Sequence, residues 1–515
     1  MYKSFLYFFI VTSSLFSGIN FSINGDFSNF YAIKTSDNSI LNIPFKLSNI
    51  NSTLYFDNFE IHHNYSIEYR KINDDNLISS ENMNAEIREF YGTYYFDMGE
   101  ISFGKQIFTL GSVDENSPID HFNPYNYYYL LIGGTDKKVP INALSFDLYL
   151  ETIKISGALS PEHNINYYPR NDPEYSLSLS IYPEKWEFLD NKGSQHESFL
   201  SFQFTPNNNS EATLTYLRAF DRVFSLSGFT MHEFTGPYIP ELENYLYPDG
   251  DGNTQNPGRW FAHRLTEALN IGIVKLYNDF TIRTDFSYFH TFDRYNKNDY
   301  SYFRSRQDLY YESLDQNHED IYTVFNDTMD LNDDGECCEA FIAPFQEDAS
   351  YGQFTFQFEL PLPKNYQINF QYFKYKIINY KINHYSFEGV EINIEDITIN
   401  MNDIINENGN LFRPGMGSSM STLTTESLLL SLEKYLLDNN LKITLTSFFD
   451  LDKGNGKLVS FESEYNVTEN INILFGSTKI YGDKDIQSEN QFDPGYTFNL
   501  MEDFSHNRIQ LQYYF

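Results

Sequence analysis

Cysteine is nearly absent from this chain of 515 residues. There are two, Cys337 and Cys338, side by side. A fold held by a framework of several disulfides is excluded. Cationic residues are also scarce, with 35 Lys and Arg against 71 Asp and Glu and a formal charge of -36. That excludes a nucleic-acid partner, which needs a basic surface. Beyond the first dozen residues no apolar run is long enough for a spanning helix. No amphipathic helical period or inter-domain linker interrupts the chain. The motifs of a hydrolase are missing too: there is no Gly-x-Ser-x-Gly, no His-Glu-x-x-His and no phosphate-cradling glycine loop. No nucleophile with a positioned base can be named, so an enzyme is not expected.

Aromatic residues are abundant: 18% of the chain, with 42 Tyr and 48 Phe. Acidic disordered chains are poor in aromatics, so the charge does not indicate disorder. The first residues, MYKSFLYFFIVTSSLFSGINFS, carry one lysine, a short apolar core and then Ser and Gly. This reads as a secretory signal peptide over residues 1–22, with cleavage between Ser17 and Ser22. A buried first strand is the alternative.

The remainder repeats one grammar. A strand of about ten residues meets the next across a tiny turn, and a long polar loop follows. SLLLSLEKYLL meets LKITLTSFFDL across DNN, and KLVSFESEYNV meets INILFGSTKIY across TEN. Counting in this way predicts about eighteen strands, with sixteen as the neighbouring even number. All the short turns fall on one side. A soluble sandwich has no reason to keep that asymmetry, but a transmembrane antiparallel β-barrel does. The expectation is one outer-membrane barrel over residues 23–515, in contact with outer-membrane lipid.

Parity assigns its two faces. In FTIRTDFSY, Ile282, Phe286 and Tyr288 oppose Arg283 and Asp285, and the same sorting puts Glu68, Arg70 and Arg264 on the polar face. An Arg or Lys facing lipid costs about 2–4 kcal/mol at the midplane, so these side chains belong to the lumen. A barrel of this size encloses water unless it is plugged, and no plug-sized domain precedes the first strand. The chain ends HNRIQLQYYF, with Ile509, Leu511, Tyr513 and Phe515 on one parity. This is a closing strand with Phe515 in the interfacial aromatic girdle. A terminal strand ending in Phe is similar to the signal read by the barrel-assembly machinery.

The segment FGKQIFTLGSVDENSPIDHFNPYNYYYLLIGGTDKKVPINALSF, residues 103–146, carries a Gly-Lys-Gln strand, a strand end at Gly111 and an Asn-Pro loop. It resembles porin-like outer-membrane barrels of unknown substrate, with Leu110 where that group has Trp. The resemblance implies fold and location, not a solute. The loop after Gly111 is the third outside loop by count. In general porins that loop turns inward. Asp114, Glu115 and Asp120 would then face wall arginines such as Arg70 and Arg264 across the lumen. Packing outward as a lid, with Tyr125–Tyr129 on the rim, is the alternative. Lys105 breaks the parity of Ile101 and Phe103 and has no assigned place.

In DLNDDGECCE, Asp330, Asn332 and Asp334 alternate before a glycine, the first half of a calcium loop, with Glu336 or Glu339 as replacements for the missing terminal carboxylate. Ordinary turn chemistry explains the same residues. Cys337 and Cys338 sit in the same loop, where an oxidising compartment would allow a vicinal disulfide or leave two thiols. No other cofactor is expected. The functions left open are a channel for a small hydrophilic or anionic solute, with an oligomer allowed, and a surface adhesin. The adhesin reading draws on residues 293–350, which hold 15 Asp and Glu against 4 Lys and Arg.

Overall fold

The computed structural model describes residues 20–70, 83–130, 137–168, 196–232, 259–293, 340–344, 347–382, 391–394, 397–400, 412–452, 456–482 and 497–515. Eighteen strands form one sheet. They are β1 (Asn20–Lys34), β2 (Phe45–Phe56), β3 (Phe59–Tyr69), β4 (Met83–Phe96), β5 (Gly99–Gln106), β6 (Ile141–Leu150), β7 (Ile153–Ser160), β8 (Glu197–Asn207) and β9 (Ser210–Phe220). They continue as β10 (Leu265–Leu276), β11 (Thr281–Phe292), β12 (Glu347–Leu362), β13 (Tyr366–Ile382), β14 (Glu426–Leu436), β15 (Leu441–Asp450), β16 (Lys457–Thr468), β17 (Ile471–Tyr481) and β18 (His506–Tyr514). Each pairs antiparallel with the next in sequence. β18 pairs back onto β1 from Asp26↔Tyr514 to Lys34↔His506, so the wall is closed. Closure satisfies the edge backbone groups that lipid cannot, each worth several kcal/mol.

The last residue completes the seam. Phe515 N–H donates to Gly25 O at 3.0 Å and Gly25 N–H to Phe515 O at 3.1 Å. The Phe515 ring stacks on Phe27 with centroids 5.3 Å apart. The first strand is paired from its first residue: Asn20, Phe21 and Ser22 pair with Tyr55, Leu54 and Thr53.

Alternation sorts the wall as parity predicts. Phe286 and Tyr288 are exposed on the outside, while Asp285, Ser287 and Thr291 on the same strand are buried inside. Ile509, Leu511 and Tyr513 are exposed, and Arg508 is buried. With short turns at one end, longer loops at the other and an apolar exterior, this is an outer-membrane barrel. Two small sheets stand apart from the wall, one of Ser225–His232, Arg259–Ala262 and Ala340–Pro344 and one of Glu391–Ile394 and Ile397–Asn400.

Lys105 finds its place here. It shares the outward parity of Phe103, which is 72% exposed, but sits near the outer end of β5. Its ammonium turns back to Ile87 O at 2.7 Å and to Glu86 at 3.6 Å. A long stem on apolar surface with its charge carried to a polar partner is ordinary for lysine at an interface.

Candidate functional site: the third loop across the lumen

The third outside loop leaves β5 at Gln106 and returns to β6 at Ile141. Its two stems are stapled by the Asn of the Asn-Pro pair. Asn123 Oδ1 accepts from Phe108 N–H at 2.7 Å, and Asn123 Nδ2 donates to Gln106 O at 3.2 Å and Val139 O at 2.9 Å. A second staple is Asp120, which accepts from Leu110 N–H at 2.9 Å and pairs with Lys138 at 2.7 Å.

From there the chain crosses the barrel to the far wall, β11–β13. Asp285 on β11 accepts from Ser112 N–H at 2.8 Å, Val113 N–H at 3.0 Å and Ser117 Oγ at 2.6 Å. Gln357 on β12 accepts from Asp114 N–H at 2.9 Å and donates to Asp114 Oδ2 at 2.8 Å. Thr355 Oγ1 donates to Asn116 O at 2.8 Å, and Gln371 on β13 donates to Asp114 O at 2.8 Å. Two glycines make the approach feasible. Gly111 has φ +90°, and a Cβ there would stand 2.7 Å from Asp285 Oδ2. On β10, a Cβ at Gly272 would meet Ser112 Oγ at 2.6 Å. The left-handed backbone at Gly111 favours glycine outright, and at Gly272 a side chain would push Ser112 and Asp285 out of their contact.

The return limb fastens to other loops and to β3. Tyr125 N–H donates to Asn166 Oδ1 at 2.7 Å, and Tyr127 N–H to Tyr167 O at 2.9 Å. The Tyr127 hydroxyl meets Thr422 Oγ1 at 2.7 Å, which ties the third loop to the segment 412–424. Tyr128 OH accepts from Arg70 at 3.2 Å, and Tyr129 OH donates to Glu68 at 2.6 Å. The tyrosine run is therefore buried within the outer half of the lumen, in apolar clusters with Phe373, Met420 and Phe448 on one side and Leu41, Ile43 and Phe504 on the other. The loop lies inward, and the outward-lid arrangement does not occur.

The charge pairing differs from the one read from sequence. Asp114, Glu115 and Asp120 do not face Arg70 and Arg264. Asp114 is taken up by Gln357, Asp120 by Lys138, and Glu115 stands exposed at φ +65°. Arg70 serves Asn42 O and Tyr128 instead. Arg264 is buried at the outer mouth between Asp221 and Glu347, at 2.9 Å to each, with Arg413 O at 2.8 Å. These carboxylates hold its guanidinium above the ordinary arginine value against the pull of burial. Arg283 pairs with Glu359 at 2.7 Å and also donates to Ser112 O at 3.2 Å. Asp285 is not a lining charge but a buried anchor. The reason is common to all of them: a buried charge takes the nearest partner able to satisfy it, and the crossing loop brings its own.

Buried groups of the loops shift accordingly. Burial lowers His121 to about 3, so it is neutral, and its Nδ1 bonds Pro118 O at 2.6 Å. Burial also lowers Lys137, with Glu115 and Asp120 opposing the shift. At the mouth, Asp293 is raised to about 7 by burial and then by Glu347.

Below the crossing, a cavity of about 310 Å³ lies between the stem Ile107–Leu110 and the wall β3–β8. Glu60, Glu89, Glu100, Asp147 and Lys154 line it. Nothing in the sequence marked these residues as neighbours. Gln357, Gln371 and Lys138 were likewise unrecognised. Gln353 and Gln357, both on inward parity in YGQFTFQFEL, were the available sign.

Among the described residues no group of three or more His, Cys, Asp and Glu is placed to hold a metal ion. Asp330, Asn332, Asp334, Glu336, Glu339, Cys337 and Cys338 lie outside the described residues.

No family model matches the chain, and no curated protein matches it. Solved structures do show likeness. Pseudomonas aeruginosa OpdK with vanillate aligns at 8% identity over 96% of this chain and 98% of its own, with a TM-score of 0.46. Pseudomonas aeruginosa OccK8 (OprE) aligns at 9% identity over 96% and 98%, with a TM-score of 0.44. Acinetobacter baumannii OccAB2 aligns at 9% over 96% and 98%, with a TM-score of 0.43. The closed wall follows from the eighteen strand pairings, independently of these likenesses.

Proposed function

We propose that this chain is a porin-like channel through which small hydrophilic solutes cross the outer membrane. One observation carries the reading: wall residues on three adjacent strands, Asp285, Thr355, Gln357 and Gln371, hold the third loop across the lumen. A loop laid across a wide barrel narrows it to a selective passage, where size and the fixed charges at the narrowing decide what passes. The wall below it is polar, as a solvated route requires. The finer resemblance to porin-like barrels rests on the Gly-Lys-Gln strand and the Asn-Pro loop, whose Asn123 has a structural task here.

Phe515 is proposed as the feature presented to the assembly machinery, since it ends the closing strand with its ring outside the wall. Calcium in the loop around Asp330–Glu339 remains a proposal from the sequence. The channel reading is tested by reconstituting the purified barrel in planar bilayers and in liposomes loaded for osmotic swelling. Stepwise conductance with size-limited swelling is expected. Intact, correctly assembled barrel that gives neither would refute it.

A further inference from the structure

Resting on the channel reading, the wall also indicates the charge of its solute. Among the described residues, most cations that the wall turns inward are matched to a carboxylate. Lys154 lies 2.9 Å from Asp147, Arg283 2.7 Å from Glu359, Lys442 2.9 Å from Glu433 and Lys46 3.4 Å from Glu68, and Arg508 pairs with Glu462. A guanidinium or ammonium so matched offers an anion little net field. Arg88, against Lys138 O at 3.2 Å, and Arg70, against Asn42 O and the Tyr128 hydroxyl, are held among the loop residues instead.

The carboxylates are not balanced in the same way. Glu60 accepts from the Tyr95 hydroxyl at 2.8 Å and Glu100 from the Tyr149 hydroxyl at 3.3 Å. Glu89 accepts from Ile107 N–H at 3.1 Å, with His62 at 3.9 Å as its nearest basic neighbour. Their hydrogen-bond donors are neutral, so their charge stays in the lumen. Glu60, Glu89 and Glu100 border the cavity of about 310 Å³ directly under the constriction, on the route past the loop stem.

From this imbalance we infer that the channel favours cations and cationic solutes over anions, against the anionic solute that the composition left open. The preference belongs to the field along the passage rather than to one binding site. Fixed unbalanced carboxylates raise the local cation concentration and lower that of anions. Of the three acidic residues singled out in the loop, Asp120 is neutralised by Lys138, Glu115 has the Lys137 ammonium at its own carbonyl, and Asp114, held by the neutral Gln357 amide, adds its charge to those of the wall.

The test is the reversal potential of the reconstituted barrel in a KCl gradient near 0.1 M. The wild type, Glu60→Gln/Glu89→Gln/Glu100→Gln and, as a control on the outer face, Glu267→Gln are compared. A unit charge about 7 Å from the ion's path changes the cation-to-anion ratio by roughly threefold at this ionic strength. The triple variant should therefore lower the potassium-to-chloride permeability ratio by at least about threefold, while Glu267→Gln leaves it unchanged. At 1 M salt the difference should nearly vanish, since the screening length falls to about 3 Å.

Liposome swelling with a diamino acid and a dicarboxylic amino acid of similar size separates organic cations from potassium alone. Faster entry of the diamino acid extends the inference to organic solutes. Should the triple variant fail to assemble, the wild-type reversal potential and swelling rates decide by themselves. Anion preference, or a ratio indifferent to the triple variant, overturns the inference and leaves the channel intact. Absence of any conductance overturns the channel reading itself.

Discussion

Replacing Asp285 by Asn changes one atom and should loosen the constriction. Its two carboxylate oxygens accept from Ser112 N–H, Val113 N–H and Ser117 Oγ, all within 3.1 Å. An amide can set its oxygen in the Oδ2 place, which takes all three contacts, but it loses the charge that strengthens them and turns its N–H₂ toward Ser112 N–H. Alanine removes all three. Hydrogen bonds to a charged acceptor are worth about 1.5–3 kcal/mol each, so Asp285→Ala costs the anchored loop at least about 4.5 kcal/mol and Asp285→Asn less. Thr355, Gln357 and Gln371 remain with neutral bonds of about 1 kcal/mol each. A loss of even about 3 kcal/mol multiplies the released fraction by more than a hundred. Single-channel recording of Asp285→Asn and Asp285→Ala is the assay, with heat-modifiable migration on gels reporting an intact barrel. Larger or noisier unitary conductance is expected, with Ala exceeding Asn. An assembled Asp285→Ala barrel with wild-type conductance and noise would show that the loop is held in place without its anchor, and the reasoning would fail.

Gly111→Ala should act in the same direction, because an L side chain at φ +90° is strained by about 1–2 kcal/mol and would crowd Ser117 and Asp285; an unchanged channel in an assembled barrel would count against it. Asp293, raised to about 7 by burial and Glu347, binds a proton more tightly in the folded state than unfolded. Its stabilisation is therefore full at low pH and declines as pH rises from about 4 to about 7. Asp293→Asn should raise the melting temperature at pH 8 and flatten that decline; a pH profile identical to wild type would contradict this. Phe515→Ser should reduce outer-membrane levels in cells by far more than it lowers the melting temperature of barrel refolded in detergent, and normal cellular levels would rule out its role in assembly.

Much of the wall was determined by sequence. Period-two alternation is a local property, so FTIRTDFSY declares which residues meet lipid and which meet the lumen without reference to any partner. Short turns are local too, and their placement on every second connection gave the strand order, the closing strand and the position of Phe515. The third loop is different. Its course depends on pairings such as Ser112 with Asp285, 173 residues apart, and Asp114 with Gln371, 257 apart. No spacing rule links such residues. Their meeting requires closure of eighteen strands first, which sets β11–β13 across the lumen from β5. The same closure decides which charges cancel. Asp120 and Arg264 read alike from sequence as free lumen charges, yet each is buried with a partner, Lys138 for one and Asp221 and Glu347 for the other. Glu60, Glu89 and Glu100, unremarkable in sequence, keep their charge because the folded wall gives them only neutral hydrogen-bond donors. Alternation fixes the side of the wall on which a charge sits; only the tertiary arrangement of strands and loops determines whether that charge is spent on a neighbour or left to the passing solute.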